Sequence, residues 1–236
     1  MHLDWPGVYN ARDLGGLPAA GGRTRTRTGA IVRSDSLQAL TADGWEALLA
    51  HGVRTVVDLR NPEERGPDAA PRPDTVTTLH VPLDGTEDRE FWDVWQNGPQ
   101  FGTPLYYGPH LRRVPERSAA AVAAIASAPP GGVAFHCEGG RDRAGQVALL
   151  VLALAGVPAA EIAADYELSD QRLKARFAAR GAEDDGPRLA AYLAEQGTTA
   201  GRVIEDLLAS LDVEAALRAG GLADGDVVAL RERLVA

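Results

Sequence analysis

Apolar and polar segments alternate along the first part of the chain in a way that predicts helices and strands in turn. A helix is expected over residues 42–50, where Thr41 provides an N-cap and Gly52 a stop. The β-branched runs 53–59 and 76–81 are typical of strands. Strands that alternate with helices favour an α/β fold, in which a central sheet is flanked by helices.

The second part of the chain carries longer helical patterns. An Ala-rich helix is predicted over residues 116–128 and a strand over 133–137. The apolar run 147–157 suits a buried helix because it is too short to span a bilayer. Residues 158–236 predict four or five short helices that end at glycines. No repeat and no linker divides the sequence, so we expect one domain over 1–236 with a helical C-terminal part.

Two segments have less regular patterns. In residues 23–27 Arg alternates with Thr, and Gly29 leads into 30–33, which predicts a hairpin or an irregular pair of strands. Residues 86–108 hold six aromatic side chains among prolines, glycines and acids. Such a segment either covers a site as a flap or packs beside the core, and the pattern favours neither.

Composition narrows the class of protein. Hydrophobic residues make up 45% of the chain, which is enough for a sizeable core. The net charge of −9 argues against nucleic acids and anionic membranes as general partners. One cysteine excludes an intrachain disulfide and a cysteine-rich zinc site, and the five histidines show no metal-ligand spacing, so no metal or cofactor is expected. The N-terminus lacks a basic start followed by an apolar stretch, which favours a cytoplasmic protein.

The strongest chemical signal lies in residues 133–146. The predicted strand ends on Cys137, a loop with Gly139 and Gly140 follows, and Arg143 stands six positions after the cysteine, where a helix pattern begins. A helix N-terminus gathers backbone N–H groups around an anion and lowers the pKa of a nearby thiol below its ordinary value of about 8.5. The N–H groups of the loop can cradle phosphate oxygens, the glycines allow close approach, and Arg143 offers a planar fork for two oxygens. This order of residues indicates a cysteine-based phosphatase loop.

The same residues allow other interpretations. Cys137 is also compatible with a small buried apolar side chain, since free cysteines are commonly buried. A rhodanese-like sulfurtransferase also places a cysteine in an anion-binding loop after a strand, although the arginine at the sixth position and the immediate helix favour the phosphatase. A phosphate-binding protein with weak turnover is the third interpretation.

Two motifs of the chain resemble those of a known family. Residues 136–145 read His-Cys-Glu-Gly-Gly-Arg-Asp-Arg-Ala-Gly, which resembles the His-Cys-x-x-Gly-Lys/Arg-Asp-Arg-Thr-Gly loop of the bacterial, atypical branch of the protein-tyrosine-phosphatase family. Residues 10–16, Asn-Ala-Arg-Asp-Leu-Gly-Gly, are similar to the N-terminal motif of that branch, and residues 33–35 and 56–60 also fit its pattern. The resemblance spans most of residues 8–170. It implies an α/β phosphatase fold, a phosphocysteine intermediate, no metal, and activity on phosphotyrosine, sometimes also on phosphoserine, phosphothreonine and phosphoinositides.

The resemblance also implies roles for individual residues. Cys137 is expected to be the nucleophile, Arg143 to bind phosphate and Asp142 to act as the general acid. Asp58 and Asp84 also follow strand-like runs and could serve as the acid, in which case Asp142 only pairs with Arg143 or caps the helix. The remaining loop residues and the expected supporting residues are Glu138, Gly139, Gly140, Arg141, Ala144 and Gly145 in the loop, and His136, Arg12, Asp13 and Asp58 around it.

Further expectations concern the surroundings of the loop. His136 is expected either to orient the loop and support the thiolate by hydrogen bonding or to be a plain core histidine. A polar network beneath or beside the loop is expected from four charged residues that could otherwise form ordinary surface salt bridges: Arg12, Asp13, Arg33 and Asp35.

Two positions in the loop carry separate expectations about activity. Arg141 stands where the branch has Lys or Arg, and its charge at the pocket mouth would favour substrates with several phosphates, such as phosphoinositides. Ala144 replaces a threonine whose hydroxyl normally helps the thiolate to leave, so turnover is expected to be slower. Ala11 replaces the phenylalanine of the N-terminal motif.

Overall fold

A mostly parallel sheet forms the centre of the computed structural model, which describes residues 1–19 and 24–235. The strands in this described part are β1 (Arg12–Asp13), β2 (Pro18–Ala19), β3 (Thr24–Arg25), β4 (Ile31–Ser34), β5 (Val53–Asp58), β6 (Thr77–His80) and β7 (Gly132–His136). The central sheet has the order β1-β4-β7-β5-β6, while β2 and β3 pair separately. Strands β4, β7, β5 and β6 run parallel, and β1 is antiparallel to β4.

The register of the parallel strands decides which residues meet at one edge of the sheet. His136 at the end of β7 lies between Ser34 of β4 and Asp58 of β5. Asp58 in turn lies opposite His80 of β6. Cys137 therefore leaves the sheet at the middle of its carboxyl edge, which is where α/β proteins commonly bind ligands.

Helices cover both faces of the sheet. Within the described residues they are α1 (Ala42–Ala50), α2 (Arg89–Trp95), α3 (Tyr107–Arg113), α4 (Pro115–Ala126), α5 (Asp142–Leu154), α6 (Ala159–Arg180), α7 (Gly186–Glu195), α8 (Ala200–Ser210), α9 (Val213–Ala219) and α10 (Asp224–Leu234), with 3-10 turns at Leu37–Ala39, Pro62–Glu64 and Pro104–Tyr106. None of the helices in the described part is both long and apolar enough to cross a membrane.

Side chains on neighbouring strand positions enter two separate cores. On β5, Val57 belongs to the larger cluster together with Phe135 and the buried sides of α4 and α5. Val56 points to the other face and packs with Trp5 and Trp45, the latter on α1. This alternation follows from the two-residue period of a strand, and it explains why the central strands are apolar on both faces.

The regular elements predicted by the sequence are present, with shifted ends. The helix over 42–50 is confirmed, and the Thr41 hydroxyl caps it by accepting the Gly44 N–H at 3.2 Å. The strands predicted over 53–59, 76–81 and 133–137 correspond to β5, β6 and β7. The helix that contains the apolar run begins earlier, at Asp142. The C-terminal part holds five helices in its described residues, of which α6 has 22 residues and is not short.

The predicted pairing of residues 23–27 with 30–33 is wrong. Thr24–Arg25 pairs with Pro18–Ala19 instead, and Arg23 lies outside the described residues. Ile31–Ser34 is buried along its whole length and lies between β1 and β7. A strand that is apolar on both faces is most stable inside a covered parallel sheet, which is why it does not form an exposed hairpin.

Most of the aromatic side chains in residues 86–108 pack against the core. Trp92, Tyr106 and Tyr107 are buried, whereas the side chain of Phe101 is 46% exposed. Packing beside the core thus describes most of this segment. The segment also forms one wall of a cleft at the carboxyl edge of the sheet.

Candidate active site

Cys137 lies at the start of a tight loop between β7 and α5. The residue is only 2% exposed, and the backbone N–H of Gly140 donates to its Sγ at 3.2 Å. Helix α5 begins at Asp142, so the loop leads directly into a helix N-terminus, as the sequence predicts. Strand, cysteine, loop and helix together make a concave backbone surface around Sγ.

Every backbone carbonyl from residue 138 to residue 142 accepts a hydrogen bond from outside the loop. The donors are the Ser36 N–H and Arg176 Nη2 for Glu138 (3.1 and 3.0 Å), Asn10 Nδ2 for Gly139 (3.0 Å), Arg33 Nη2 for Gly140 and Arg141 (2.7 and 3.3 Å), and the Tyr107 hydroxyl for Asp142 (2.7 Å). A trans peptide is planar, with its C=O and N–H pointing in opposite directions. Carbonyls held on the outside therefore turn the following N–H groups towards the inside, which creates a nest for an anion.

One glycine of the loop is required by space. Gly140 has φ +70°, and a Cβ atom there would lie 2.5 Å from the Asp35 backbone nitrogen. Gly139 meets only Leu173, at 4.0 Å, so the expected close approach applies to Gly140 and not to Gly139. At Gly145 a Cβ would lie 2.6 Å from the Tyr107 hydroxyl, and this glycine lets the first turn of α5 approach α3.

Arg143 is held by two carboxylates that leave one edge of its guanidinium unused. Nη1 and Nη2 pair with the two oxygens of Glu64, and Nη1 also donates to Asp84 Oδ2 at 3.1 Å. Neither Nε nor the second proton of Nη2 has an acceptor among the described residues. The Nε–Nη2 edge is the fork that binds two phosphate oxygens at once. Glu64 thus fixes the orientation of Arg143 and leaves its phosphate-binding edge available.

The expected depression of the thiol pKa is not observed. Burial raises the pKa of Cys137, while Arg143 and the N–H groups of Ala144 and Gly140 act in the opposite direction. The charge of Asp142 adds to the effect of burial. The prediction from the motif considered the loop N–H groups and the helix N-terminus and did not include the burial of the thiol.

The His136 ring contacts the backbone carbonyl of Cys137 and not its sulfur. Its Nδ1 lies 3.1 Å from the Cys137 carbonyl oxygen, and Nε2 lies 3.7 Å from Asp58. Burial lowers the pKa of His136 to about 4, so the ring is neutral at neutral pH. Because the carbonyl can only accept, Nδ1 carries the proton. The expected hydrogen bond to the thiolate is therefore replaced by one to the backbone.

Two carboxyl groups near Arg143 have properties suited to an acid. Burial raises the pKa of Asp142, against the effect of Arg141, and its side chain remains 32% exposed. Burial also raises the pKa of Asp84, against the effect of Arg143. Asp84 Oδ2 accepts hydrogen bonds from Asn61 and Arg143, whereas Asp142 Oδ1 has no hydrogen bond among the described residues and lies 3.5 Å from Arg141 Nε in an ion pair. Asp142 is therefore held by fewer hydrogen bonds than Asp84.

The surroundings of Asp58 do not favour a role as an acid. Both of its oxygens accept from the Arg60 guanidinium, at 3.0 and 2.9 Å. Although burial opposes it, this pairing lowers the pKa of Asp58, which stays ionised. Its role is to hold Arg60, whose Nη1 reaches Ser36 and Gln38 beside the loop.

A buried ion network lies beneath the loop, as expected, but with a different membership. Arg12 Nε and Arg33 Nη1 both donate to Asp165 of α6, at 2.9 and 2.6 Å. Although burial opposes it, the charges of Arg33 and Arg12 lower the pKa of Asp165 to about 2. Asp35 accepts the backbone N–H groups of Tyr9 and Asn10. The network thus links the N-terminal segment and α6 to the loop.

Asp13 does not belong to this network, contrary to the sequence prediction. Its carboxylate accepts the N–H groups of Gly15 and Gly29, both at 2.7 Å, and lies 2.8 Å from His51. Successive residues of β1 point to opposite sides, so Arg12 faces the loop network while Asp13 stabilises the turns on the other side.

Arg141 is not at the pocket mouth. Its Nη1 and Nη2 bind both oxygens of Asp185 at 2.8 Å, and the residue is only 5% exposed. A buried guanidinium needs such a partner because removing an unpaired charge from water is costly. The expected rim charge for a second phosphate is therefore absent at this position.

The carboxylate of Glu138 is bound by Arg176 and Arg180. Glu138 therefore contributes to the loop through its backbone.

An open cleft of about 310 Å³ begins at Arg143. One wall is aromatic, formed by Trp92, Phe101 and Tyr106, and the opposite side carries carboxylates. Arg143 is the cation among the described residues that line it. In the described part of the chain, no three His, Cys, Asp or Glu side chains are grouped so that they could hold a metal ion.

Several site residues could not be found from the motifs. Glu64, Asp165 and Asp185 come from a loop, a long helix and the start of α7, far from Cys137 in sequence. One feature of the sequence could have indicated Asp165, because it stands between the apolar positions Ile162 and Tyr166 on the buried face of α6. A carboxylate in such a position usually has a buried cationic partner.

Comparison with known proteins gives a consistent result. The sequence model described as "Tyrosine phosphatase family" matches residues 3–236. A protein of Cupriavidus necator that bears the provisional name of tyrosine-protein phosphatase is 36% identical over 171 residues, covering 70% of this chain and 62% of that protein. The tyrosine-protein phosphatase of Nostoc commune is 35% identical over 153 residues, covering 61% of this chain and 50% of that protein. The chain thus spans less than two thirds of the length of either relative.

Proposed function

The chain belongs to the tyrosine phosphatase family, and on this premise we propose that it hydrolyses phosphotyrosine through a phosphocysteine intermediate on Cys137. The observation that carries the proposal is the loop itself. Sγ lies in a nest of N–H groups whose carbonyls are all held outside, next to the unused edge of Arg143. These donors match the three equatorial oxygens of a phosphoryl group in transfer.

In the first step the Cys137 thiolate attacks phosphorus. The S–P bond forms, the bond from phosphorus to the ester oxygen breaks, and Asp142 gives its proton to that oxygen. Arg143 and the loop N–H groups hold the oxygens of the phosphoryl group during the transfer. These donors balance the negative charge of the phosphoryl group without a metal ion, so activity is expected to persist when a chelator is present.

In the second step a water molecule attacks phosphorus. The ionised Asp142 accepts a proton from the water, the S–P bond breaks, and inorganic phosphate and the thiolate are released. Ala144 is fully buried at the first turn of α5 and has no hydroxyl to donate to the departing sulfur. The backbone N–H groups of Gly140 and Ala144 are the donors that remain at Sγ.

The cleft favours an aromatic monoester over a phosphoinositide. Phe101, which is 46% exposed, lines the cleft together with the buried Trp92 and Tyr106 and offers a ring against which a phosphotyrosine ring can stack. The carboxylates of Glu64, Asp84 and Asp142 would repel further phosphates placed in the same cleft. Phosphoserine has no ring to fill the space, so it is expected to be the poorer substrate.

Release of phosphate from a phosphotyrosine peptide, with a chelator present and with vanadate as inhibitor, tests the function. We expect hydrolysis that the chelator leaves unchanged and vanadate stops. Vanadate binding without any turnover would contradict the proposal and indicate a phosphate-binding protein. Sulfur transfer from thiosulfate to cyanide, without phosphate release, would indicate a sulfurtransferase instead.

The identity of the acid predicts a dependence on the leaving group. Asp142→Asn is expected to reduce kcat on phenyl phosphate by about 10²–10³-fold, and much less on p-nitrophenyl phosphate, whose leaving group hardly needs a proton. Because burial raises the pKa of Asp142, the wild-type acid stays protonated to a higher pH than an ordinary carboxyl group, and the alkaline limb of kcat should disappear in the variant. Asp84→Asn is the matched comparison. The assignment fails if Asp84→Asn, and not Asp142→Asn, shows this sensitivity to the leaving group.

The contact between Glu64 and Arg143 predicts an effect on the thiol. Glu64→Gln removes a charge that balances Arg143, so the pKa of Cys137 should fall and alkylation by iodoacetamide should become fast at a lower pH. Glu63→Gln is the control, because Glu63 lines the same cleft but forms no ion pair with Arg143 among the described residues. Identical pH profiles of alkylation for the two variants would show that Glu64 does not act through Arg143.

A further inference from the structure

A second cleft, of about 350 Å³, lies on the other side of the 60–66 loop from Arg143. We name it the Arg65 cleft; the residues that matter in it are Arg65, Arg72, Thr78 and His80. Glu64 and Arg65 are neighbours on one loop. The first contacts Arg143, and the second lines this cleft. The two sites are therefore built on the same short segment.

The carboxylates of the Arg65 cleft are already neutralised. Asp58 is bound by Arg60 through both oxygens, and Asp68 by Arg72 at 3.1 and 3.0 Å. Arg65 forms no ion pair with any described residue, and its Nε is buried without a hydrogen-bond partner. One positive charge thus remains unbalanced in the cleft.

The surroundings of His80 are also positively charged. Its side chain is 47% exposed, and burial and then Arg65 lower its pKa, with Arg72 and Arg60 acting in the same direction and Asp58 opposing them. A ring surrounded by three arginines lies in a positive potential. Together with the free guanidinium of Arg65 and the hydroxyl of Thr78, it offers donors for an anionic group.

The position of the cleft relates it to the nucleophile. His136, which precedes Cys137, and His80 lie on either side of Asp58 in register across three adjacent strands. Neighbouring strands are about 4.8 Å apart, so the two histidines are separated by roughly 10 Å. An extended peptide covers this distance in about three residues, at about 3.3 Å per residue.

We propose that the Arg65 cleft is a second anion site, which binds a phosphate or carboxylate group two or three residues away from the phosphotyrosine of a peptide substrate. The assignment of the anionic group to a peptide substrate rests on the proposed function. Arg65 supplies the charge, and the exposed edge of His80 and Thr78 supplies the neighbouring donors. The two clefts together favour peptides over phosphoinositides. The cleft beside Arg143 accepts a neutral aromatic group, and the second anionic group binds in the separate Arg65 cleft.

Kinetics on matched peptides test the proposal. A phosphotyrosine peptide with neutral flanks is compared with the same peptide carrying phosphoserine or glutamate at the second or third position on either side. The wild type is expected to prefer the doubly anionic peptides by about tenfold in kcat/KM at low salt, and the preference should fall as salt rises. Arg65→Gln should remove the preference and leave the neutral peptide unchanged, and Arg65→Glu should reverse it. Arg202→Gln, on the exposed face of α8, is the control.

A binding measurement keeps the anion site separate from the enzymatic function. Inorganic phosphate is titrated into the protein while the His80 ring is followed by NMR, with the signal assigned through His80→Gln. We expect the ring to respond in the wild type and not in Arg65→Gln. No response, or the same response in both, overturns the proposal. A response without hydrolysis of any peptide overturns the proposed function and leaves the anion site standing, and an Arg65-dependent preference for a soluble inositol bisphosphate over the peptides overturns the peptide assignment.

Discussion

Cys137→Ser is expected to reduce turnover of p-nitrophenyl phosphate by at least about 10⁴-fold, since the loss of a nucleophile removes the whole covalent route. Serine is close in size to cysteine, and the buried residue packs below the loop, so the fold should be retained. The hydroxyl has a far higher pKa than the thiol and is not ionised by the loop N–H groups. Vanadate or phosphate should still bind, because those donors belong to the backbone and to Arg143.

Three measurements decide this first prediction. Steady-state kinetics gives the loss of turnover, circular dichroism the integrity of the fold, and isothermal titration with inorganic phosphate the retained binding. Intact mass spectrometry of the wild type, quenched during turnover, should show one added phosphoryl group that the variant lacks. Activity within about tenfold of the wild type would rule out Cys137 as the nucleophile.

Arg143→Lys is expected to have a smaller but still large effect, a loss of about 10²–10³-fold in kcat/KM. Lysine keeps the positive charge but loses the planar fork, so it cannot bind Glu64 and two phosphate oxygens at the same time. Binding of inorganic phosphate should weaken together with turnover. A loss in kcat/KM without a loss of fold would therefore come from the missing geometry, since the charge is conserved.

A surface arginine serves as the comparison for this second prediction. Arg188→Lys changes the same functional group on α7, where its Nη1 donates to the Pro99 carbonyl. It should leave kcat/KM unchanged. Arg143→Lys with kinetics close to the wild type would show that a point charge is enough and that the free edge of the guanidinium has no role.

The sequence predicted the strand, loop and helix around Cys137 well because they are contiguous. An apolar run, a cysteine, glycines and an apolar helix pattern follow one another within about 25 residues, so local propensity alone places Cys137 before a helix N-terminus. The position of Arg143 follows from the same local pattern, because it lies six positions after Cys137. The helix over 42–50 was predicted for the same reason, since its cap and its stop are neighbours in the chain.

The predictions that failed concern side chains whose burial and nearest opposite charge cannot be read from a sequence motif. Arg141 reads as a rim residue until Asp185, 44 positions later, is placed against it. Asp58 reads as a candidate acid until Arg60 binds both of its oxygens. The pKa of the Cys137 thiol was predicted in the wrong direction because the burial of this side chain cannot be read from the motif. In each case the motif identifies the residue, but it does not contain the environment of the side chain.

By itself, the sequence determined most of the strands and helices and placed Cys137 and Arg143 around a loop before a helix, because these features depend on hydrophobic periodicity and on backbone geometry over short distances. The tertiary structure decided how each carboxylate near the loop is paired and which arginine side chains lack a carboxylate partner among the described residues. Those properties depend on burial and on the nearest opposite charge, which lies on another element in most cases. Electrostatic energies change steeply over a few ångströms, so they are set only when the sheet, α6 and the 60–66 loop have packed together.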